Sequence, residues 1–277
     1  MVAFFYLFNL ALERKLRKHP QWIHQVDDFK LEIFRAVNDG GLRESSEIII
    51  DSDKVVRRFL RAGGVISHLL ATEVGYDRLI KSFGCQTLAV ENLYLADKKV
   101  MESIVGYRLH HGMVARAGRP PDIGFDELGE RILILNGVCG SENVGAIVRN
   151  AHAFGFNSII ADSRTCSPYV RRAVRCSMGS IFKLGVLHTS NVLQTLDELR
   201  QANYAIVGSG LCERSAEFRN SPQFARLALI IGSEGYGMSD EVKGLCHHLY
   251  KIPIAADVDS LNAAVAAGIF CHHFSVL

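Results

Sequence analysis

Residues 132–154 read ILILNGVCGSENVGAIVRNAHAF, and their reading sets the architecture of the chain. Ile132–Leu135 is an apolar run short enough for a buried strand. From Val144 to Phe154 the apolar residues recur at helical spacing. A buried strand that feeds a loop and then a helix is the repeating unit of a parallel sheet covered on both faces.

The alternation continues downstream. Ser158–Ala161 reads as a strand, and Ser167-Pro168 as a helix start with Ser at the N-cap and Pro behind it, the helix running to about Ser177. Leu184–Leu187 reads as a strand, and Asn191 caps a helix through Gln201. Tyr204–Val207 and Leu227–Ile231 are strands. Ser239 caps Asp240–Cys246, Tyr250–Ile252 is a strand, and Ser260 caps a terminal helix, Leu261–Phe274. No fixed-period repeat occurs, which excludes a solenoid.

Upstream, Ala117–Glu130 holds two prolines and three glycines with little periodicity and reads as a linker. Before it lies a smaller α/β pattern. Its expected strands are Glu47–Ile50, Val65–Ala71, Gln86–Val90 and Met113–Ala115, with helices at Asp53–Arg61, Tyr76–Phe83 and Ala96–Val105. The expected division is therefore a helical extension over 1–29, an α/β domain over 30–117, a linker over 118–130 and a second α/β domain over 131–277.

With 277 residues, 48% apolar and 22% charged, the chain has the composition of a globular protein and not of a disordered or collagenous one. A net charge of +2 neither demands nor excludes a nucleic-acid partner, so any basic surface is local. Seven cysteines without a CxxC pair argue against a disulfide scaffold or zinc ribbon and for a reducing compartment. Val2–Leu12 is apolar but for Asn9, and the basic residues Arg14, Lys15, Arg17 and Lys18 follow it, the reverse of a secretory signal. The run is shorter than the ~20 residues of a membrane span. It is expected to be a packing helix in a cytoplasmic protein, with organelle targeting as the alternative. The histidine pairs at 110–111, 247–248 and 272–273 lack a second cluster at ligand spacing, so no metal site is expected.

Three segments at strand ends carry chemistry. In Asn143-Val-Gly-Ala-Ile-Val-Arg149-Asn150, Gly145 admits a ligand to the backbone, and the first amides of the helix favour an anion. The plainer reading is a capping Asn143 and a solvated Arg149. In Ile231-Gly232-Ser233-Glu234-Gly235-Tyr236-Gly237 the spacing is neither GxGxxG nor a P-loop, and Glu234 repels anions. The loop suits a positively charged ligand or neutral adenine and ribose edges, or is simply a glycine-rich turn. The third segment, Lys251-Ile252-Pro253 through Ser260-Leu261-Asn262, leads into a helix of small apolar residues that is buried or lies in a subunit interface.

Together and in this order, the three segments resemble the motifs of the SpoU–TrmH family of RNA ribose 2′-O-methyltransferases, in the SPOUT superfamily, over residues 131–277. Residues 30–117 resemble more faintly the ribosomal-protein-like RNA-binding domain that often precedes that catalytic domain, the best local echo being His110-His111-Gly112-Met113-Val114-Ala115. The resemblance implies a parallel-sheet domain with a C-terminal trefoil knot and methyl transfer from S-adenosylmethionine to a ribose 2′-hydroxyl of structured RNA, ribosomal before transfer RNA. It also implies a homodimer through the knot and terminal helix, and no need of a metal.

By the same resemblance Gly232, Ile252 and Leu261, with Ile231, Ser233 and Gly237 around them, contact the cofactor. Arg149 matches the catalytic arginine. A guanidinium stays protonated, so it fixes the ribose or phosphate and stabilises the incipient alkoxide instead of acting as a base. Asn143, Ser260 and Asn262 orient the ribose and Arg149. Glu234 either anchors Arg149 or attracts the sulfonium. Where many members carry Asp and Pro before the Asn, this chain has Gly137-Val-Cys-Gly-Ser-Glu142. Arg164, Arg171, Arg172 and Arg175, with Lys183, form an acid-free basic run suited to phosphates. Arg57, Arg58 and Arg61 form a weaker stripe. The competing readings are an RNA-binding or ribosome-assembly factor with dispensable catalysis, and a base-methylating relative.

Overall fold

The computed structural model describes residues 20–35, 46–84, 88–106, 112–210, 212 and 215–275. The expected helix over Val2–Leu12 and the His110-His111 pair lie outside these residues. The chain divides into two compact units, Met1–Pro120 and Pro121–Leu277.

The first unit is a five-stranded sheet with helices. Its elements are β1 (Gln21–Ile23), β2 (Glu47–Asp51), α1 (Asp53–Arg61), β3 (Ile66–Ala71), α2 (Glu73–Phe83), β4 (Val90–Ala96), α3 (Lys98–Val105) and β5 (Met113–Gly118). The order is β1-β4-β3-β5-β2, with β5 antiparallel to both its neighbours. Ile23, Leu31, Phe34, Leu70, Met101 and Val114 form its core. Two readings are corrected here. The strand expected over 86–90 begins at Val90 and runs to Ala96, its polar Asn92 donating from Nδ2 to the Ser67 carbonyl at 2.9 Å. Gln21–Ile23, expected to be helical, pairs with β4 as an edge strand.

In the second unit the elements are β6 (Arg131–Asn136), α4 (Ser141–Ala153), β7 (Ser158–Asp162), α5 (Arg171–Cys176), β8 (Gly185–Thr189), α6 (Val192–Gln201), β9 (Ala205–Ser209), β10 (Ala216–Glu217), β11 (Leu227–Gly232), α7 (Asp240–Leu245), β12 (His248–Lys251) and α8 (Ala263–His273). The strands form one sheet in the order β10-β12-β9-β11-β6-β7-β8, and every pairing is parallel. This is the α/β architecture the apolar runs predict. All residues of β6 and β7 are buried, as strands sandwiched between helix layers must be.

The chain runs outward from β6 through β7 and β8, then returns to the other side of β6. Neighbouring strands β6 and β11 therefore flank the point where strand order reverses, with Asn136 opposite Gly232 at their carboxyl ends. Ligands of open α/β sheets bind at such a point.

Side-chain caps fix where the helices around this point begin. Asn191 and Ser239 cap α6 and α7 as expected, accepting from Gln194 N and Val242 N. For α8 the cap is Asn262 and not Ser260: its Oδ1 accepts from Ala264 N at 2.9 Å and Val265 N at 3.3 Å. Ser167-Pro168 makes a turn, with Ser167 Oγ accepting from Tyr169 N, and α5 starts only at Arg171.

Candidate functional site

Side chains from all three sequence segments meet through hydrogen bonds. Asn262 Nδ2 donates to Asn143 Oδ1 at 3.0 Å, and Asn143 Nδ2 donates to Glu234 Oε1 at 2.5 Å. Asn143 does not cap α4: it lies in the first turn of that helix, whose N-cap is Gly140. Glu234 sits in a closed turn after β11. Gly237 N donates to Ser233 O at 3.0 Å, and Ser233 N donates to Gly237 O at 3.3 Å. Gly237 takes φ +65°, a left-handed conformation that glycine adopts without strain.

Two glycines are required by packing within the protein itself. A Cβ on Gly232 would lie 2.6 Å from Gly237 C, so the turn folding back on its own strand requires that glycine. A Cβ on Gly145 would lie 2.5 Å from the Ala173 carbonyl oxygen and 2.6 Å from Cys176 Cβ. Gly145 therefore seats α4 on α5 and does not admit a ligand. Burial pushes the nearby Cys176 thiol up and keeps it protonated.

A second network holds the loop between β6 and α4, and sequence reasoning missed it. The buried Asp162 carboxylate accepts from Asn136 Nδ2 at 2.8 Å, Gly137 N at 3.0 Å, Arg164 N at 3.2 Å and Thr165 N at 2.9 Å. Thr165 Oγ1 accepts from Gly137 N and Val138 N. The signal that could have found it is a strand ending in Asp162 and followed three residues on by Thr, the spacing of a side-chain-closed turn. Asn136 Oδ1 is buried, lies next to Gly232 in register, and accepts no hydrogen bond from a described residue.

Arg149 is exposed and makes no hydrogen bond or ion pair with another described residue. At ~100° per residue it lies about 120° around α4 from Asn143. Glu142, one heptad earlier on the same flank, lies 3.7 Å from Arg172. Glu234 thus pairs with Asn143 and not with Arg149. Ser260 is exposed, without a hydrogen bond to a described residue, while Ile252 and Leu261 are half-buried in the loop between β12 and α8.

The basic run is less uniform than its sequence. Arg164 Nε lies 3.7 Å from Asp162 Oδ2, Arg172 has Glu142 as neighbour, and Arg171 and Arg175 are half-buried. In the first unit Arg57 pairs with Asp53 at 2.8 Å, and Arg61 lies over the Phe83 ring. Those two side chains are engaged within the fold.

Helices α4 and α8 pack together. Asn150 Nδ2 donates to the Ala264 carbonyl at 2.9 Å, and Gly268 leaves room for that side chain. Beside this contact runs an open apolar groove of about 610 Å³, lined by Ala146, Phe154, Val265, Ile269 and His272 among others. Among the described residues no group of His, Cys, Asp or Glu could hold a metal ion, and no helix is long and apolar enough to cross a membrane.

Residues 130–272 match the model of the SpoU rRNA Methylase family. The chain is 33% identical over 188 residues to YacO of Bacillus subtilis, assigned to the TrmH family of tRNA/rRNA methyltransferases, covering 65% of this chain and 74% of that protein. It spans 56% of the length of staphylococcal relatives assigned to the same family. Among solved structures, an AdoMet-bound rRNA methyltransferase from Sinorhizobium meliloti superposes with a TM-score of 0.77 at 22% identity, over 91% of this chain and 96% of that one. An RNA 2′-O ribose methyltransferase superposes with a TM-score of 0.76 at 20% identity, over 91% and 97%. At these identities the two likenesses are likenesses of fold.

Proposed function

Because the chain belongs to the SpoU rRNA methylase family, we propose that it transfers the methyl group of S-adenosylmethionine to a ribose 2′-hydroxyl of a structured RNA, ribosomal before transfer RNA. The observation that carries this reading is the hydrogen-bonded series Asn262–Asn143–Glu234, in which the three family motifs meet beyond the strand-reversal point of the sheet.

The residues present suit an adenosyl sulfonium. The turn and loop around Ile231, Gly232, Ser233, Gly237, Ile252 and Leu261 carry no cationic side chain. The acids on them are Glu234, Asp257 and Asp259, and the orphaned Asn136 Oδ1 beside Gly232 is an acceptor in need of a donor. These residues would hold the group, in the loops of the C-terminal knot that the family implies. When bound, S-adenosylmethionine supplies an electrophilic methyl and a neutral leaving thioether.

What remains for the chain is the nucleophile. A ribose hydroxyl is nearly un-ionised at neutral pH, so the protein must place it and stabilise the charge that grows on oxygen. Arg149 does both through a guanidinium that has no competing partner among the described residues. Asn143 and Asn262 hold the substrate side of the site rigid, and Glu234 fixes Asn143. Ser260, exposed beside them, hydrogen-bonds the incoming ribose. Arg164, Arg172 and their neighbours on α5 meet phosphates on the flank that Arg149 shares. The apolar groove along α4 and α8 supports a homodimer through that face.

The test is incorporation of labelled methyl from S-adenosylmethionine into RNA isolated from cells lacking the protein, with the product mapped by its resistance to alkali, since a 2′-O-methyl blocks strand cleavage there. Arg149→Ala is expected to abolish incorporation while S-adenosylmethionine binding persists. Unchanged turnover in that variant refutes the role given to Arg149, and a methyl found on a base refutes the ribose assignment.

A further inference from the structure

Tyr236 is 97% exposed, more than any other large hydrophobic side chain among the described residues. Its backbone, by contrast, is pinned. Besides the paired Ser233 and Gly237 amides, Tyr236 N donates to Ser233 Oγ at 3.2 Å. Only the side-chain torsions of the ring remain free, so an aromatic contact made here costs little ordering entropy. Two residues earlier in the same turn Glu234 accepts from Asn143, which ties the turn, and the ring on it, to the proposed transfer site. A Cβ on Gly235 or Gly237 would meet nothing within 4 Å, so space beside the ring is open. The turn contains no Lys or Arg, so it cannot serve as a phosphate grip. What such a ring can take is a flat, neutral partner.

We propose that Tyr236 is the stacking platform for an unpaired nucleobase of the RNA substrate close to the methylated nucleotide, and so contributes to the choice of that nucleotide. The proposal rests on the RNA methyl transfer argued above. Unpaired bases are the part of RNA that proteins read by stacking on aromatic side chains, and a ring in open solvent beside the reacting ribose meets that requirement.

The experiment compares the full-length wild type with Tyr236→Ala and Tyr236→Phe in two assays, using RNA from cells lacking the protein as the probe. Methyl incorporation gives KM for RNA and kcat, and filter retention of the same RNA gives affinity without turnover. Binding of S-adenosylmethionine and the oligomeric state are measured alongside. The expected result is a weakening of RNA affinity and a rise in KM for RNA of about 5- to 150-fold in Tyr236→Ala. Tyr236→Phe, which keeps the ring, restores most of this, and binding of S-adenosylmethionine does not change.

Equal RNA affinity in wild type and Tyr236→Ala overturns the proposal. So does a change of oligomeric state or a loss of S-adenosylmethionine binding in that variant, because the ring is then a structural or subunit contact. If the wild type transfers no methyl yet its RNA retention depends on Tyr236, the stacking role stands and the transfer reading falls. If it transfers methyl with no dependence on Tyr236, the reverse holds.

Discussion

Asn143 has one orientation open to it. Asn262 Oδ1 is occupied by Ala264 N and Val265 N, so Asn262 Nδ2 must face Asn143. Asn143 then turns its Oδ1 to Asn262 and its Nδ2 to Glu234, which has to be an acceptor. Asn143→Asp replaces that donor with a carboxylate at nearly the same size and puts two acids about 2.5 Å apart. Like charges at that distance cannot both ionise, so the pair holds a proton or the turn swings away. The charge-assisted bond lost is worth about 1.5–3 kcal/mol, or roughly 10- to 150-fold in rate if it orders the site. Activity of Asn143→Asp relative to wild type should therefore rise as the pH is lowered from 8 to 5, because a shared proton restores a donor. Asn143→Ala should show no such recovery. A kcat/KM profile for both variants checks this, and a flat ratio for Asn143→Asp counts against the network.

At the scale of elements, the alternation of apolar runs and helical stretches marks out the parallel sheet, because buried parallel strands are continuous in sequence and need no partner to be recognised. Elements defined by pairing are harder to read. Gln21–Ile23 is three residues long and is a strand only because β4 lies beside it. Val90–Ala96 contains Glu91 and Asn92, which break the apolar run that marks the other strands. Caps are ambiguous where two candidates stand close together: Ser260 and Asn262 both precede α8, and only the fold shows which side chain reaches the free amides. Within the candidate site, Asn143, Glu234 and Asn262 can be picked out by motif. The brace beneath them is harder to see, since its one mark in the sequence is Asp162 at a strand end with Thr165 three residues on. Five donors converge on its buried carboxylate, three of them backbone amides and the others Asn136 Nδ2 and Thr165 Oγ1, so Asp162→Ala strands the amides at a cost of about 3 kcal/mol or more. The loop over 137–140, which carries the Gly140 cap of α4, should loosen with it. The checks are a lowered denaturation midpoint for Asp162→Ala together with a raised KM for RNA. A variant as stable as wild type would show that the loop is held by Thr165 alone.

The composition of α8 bears on the molecule as a whole. Ala263, Ala264, Ala267, Phe270 and Cys271 face inward, and burial pushes the Cys271 thiol so far up that it stays an inert SH. The other side of the helix is apolar as well. Val265 remains 51% exposed and borders the groove with Ile269, Ala146 and Phe154. A helix apolar on both flanks up to its terminal His272 and His273 calls for cover on both sides, and a second copy of the chain is the cover that the family resemblance implies. In a two-fold interface each substitution enters twice. Val265→Arg would bring two guanidinium groups into that face, each without a partner and each costing a few kcal/mol, which weakens the dimer roughly a thousandfold. Val74 on α2, 61% exposed and outside the groove, is the control, and Val74→Arg should leave the oligomeric state alone. Light scattering on gel-filtered protein at micromolar concentration separates the outcomes. A wild-type dimer that Val265→Arg converts to a monomer places the interface on α4 and α8, whereas a Val265→Arg dimer as tight as wild type means that this face is covered by something other than a second copy.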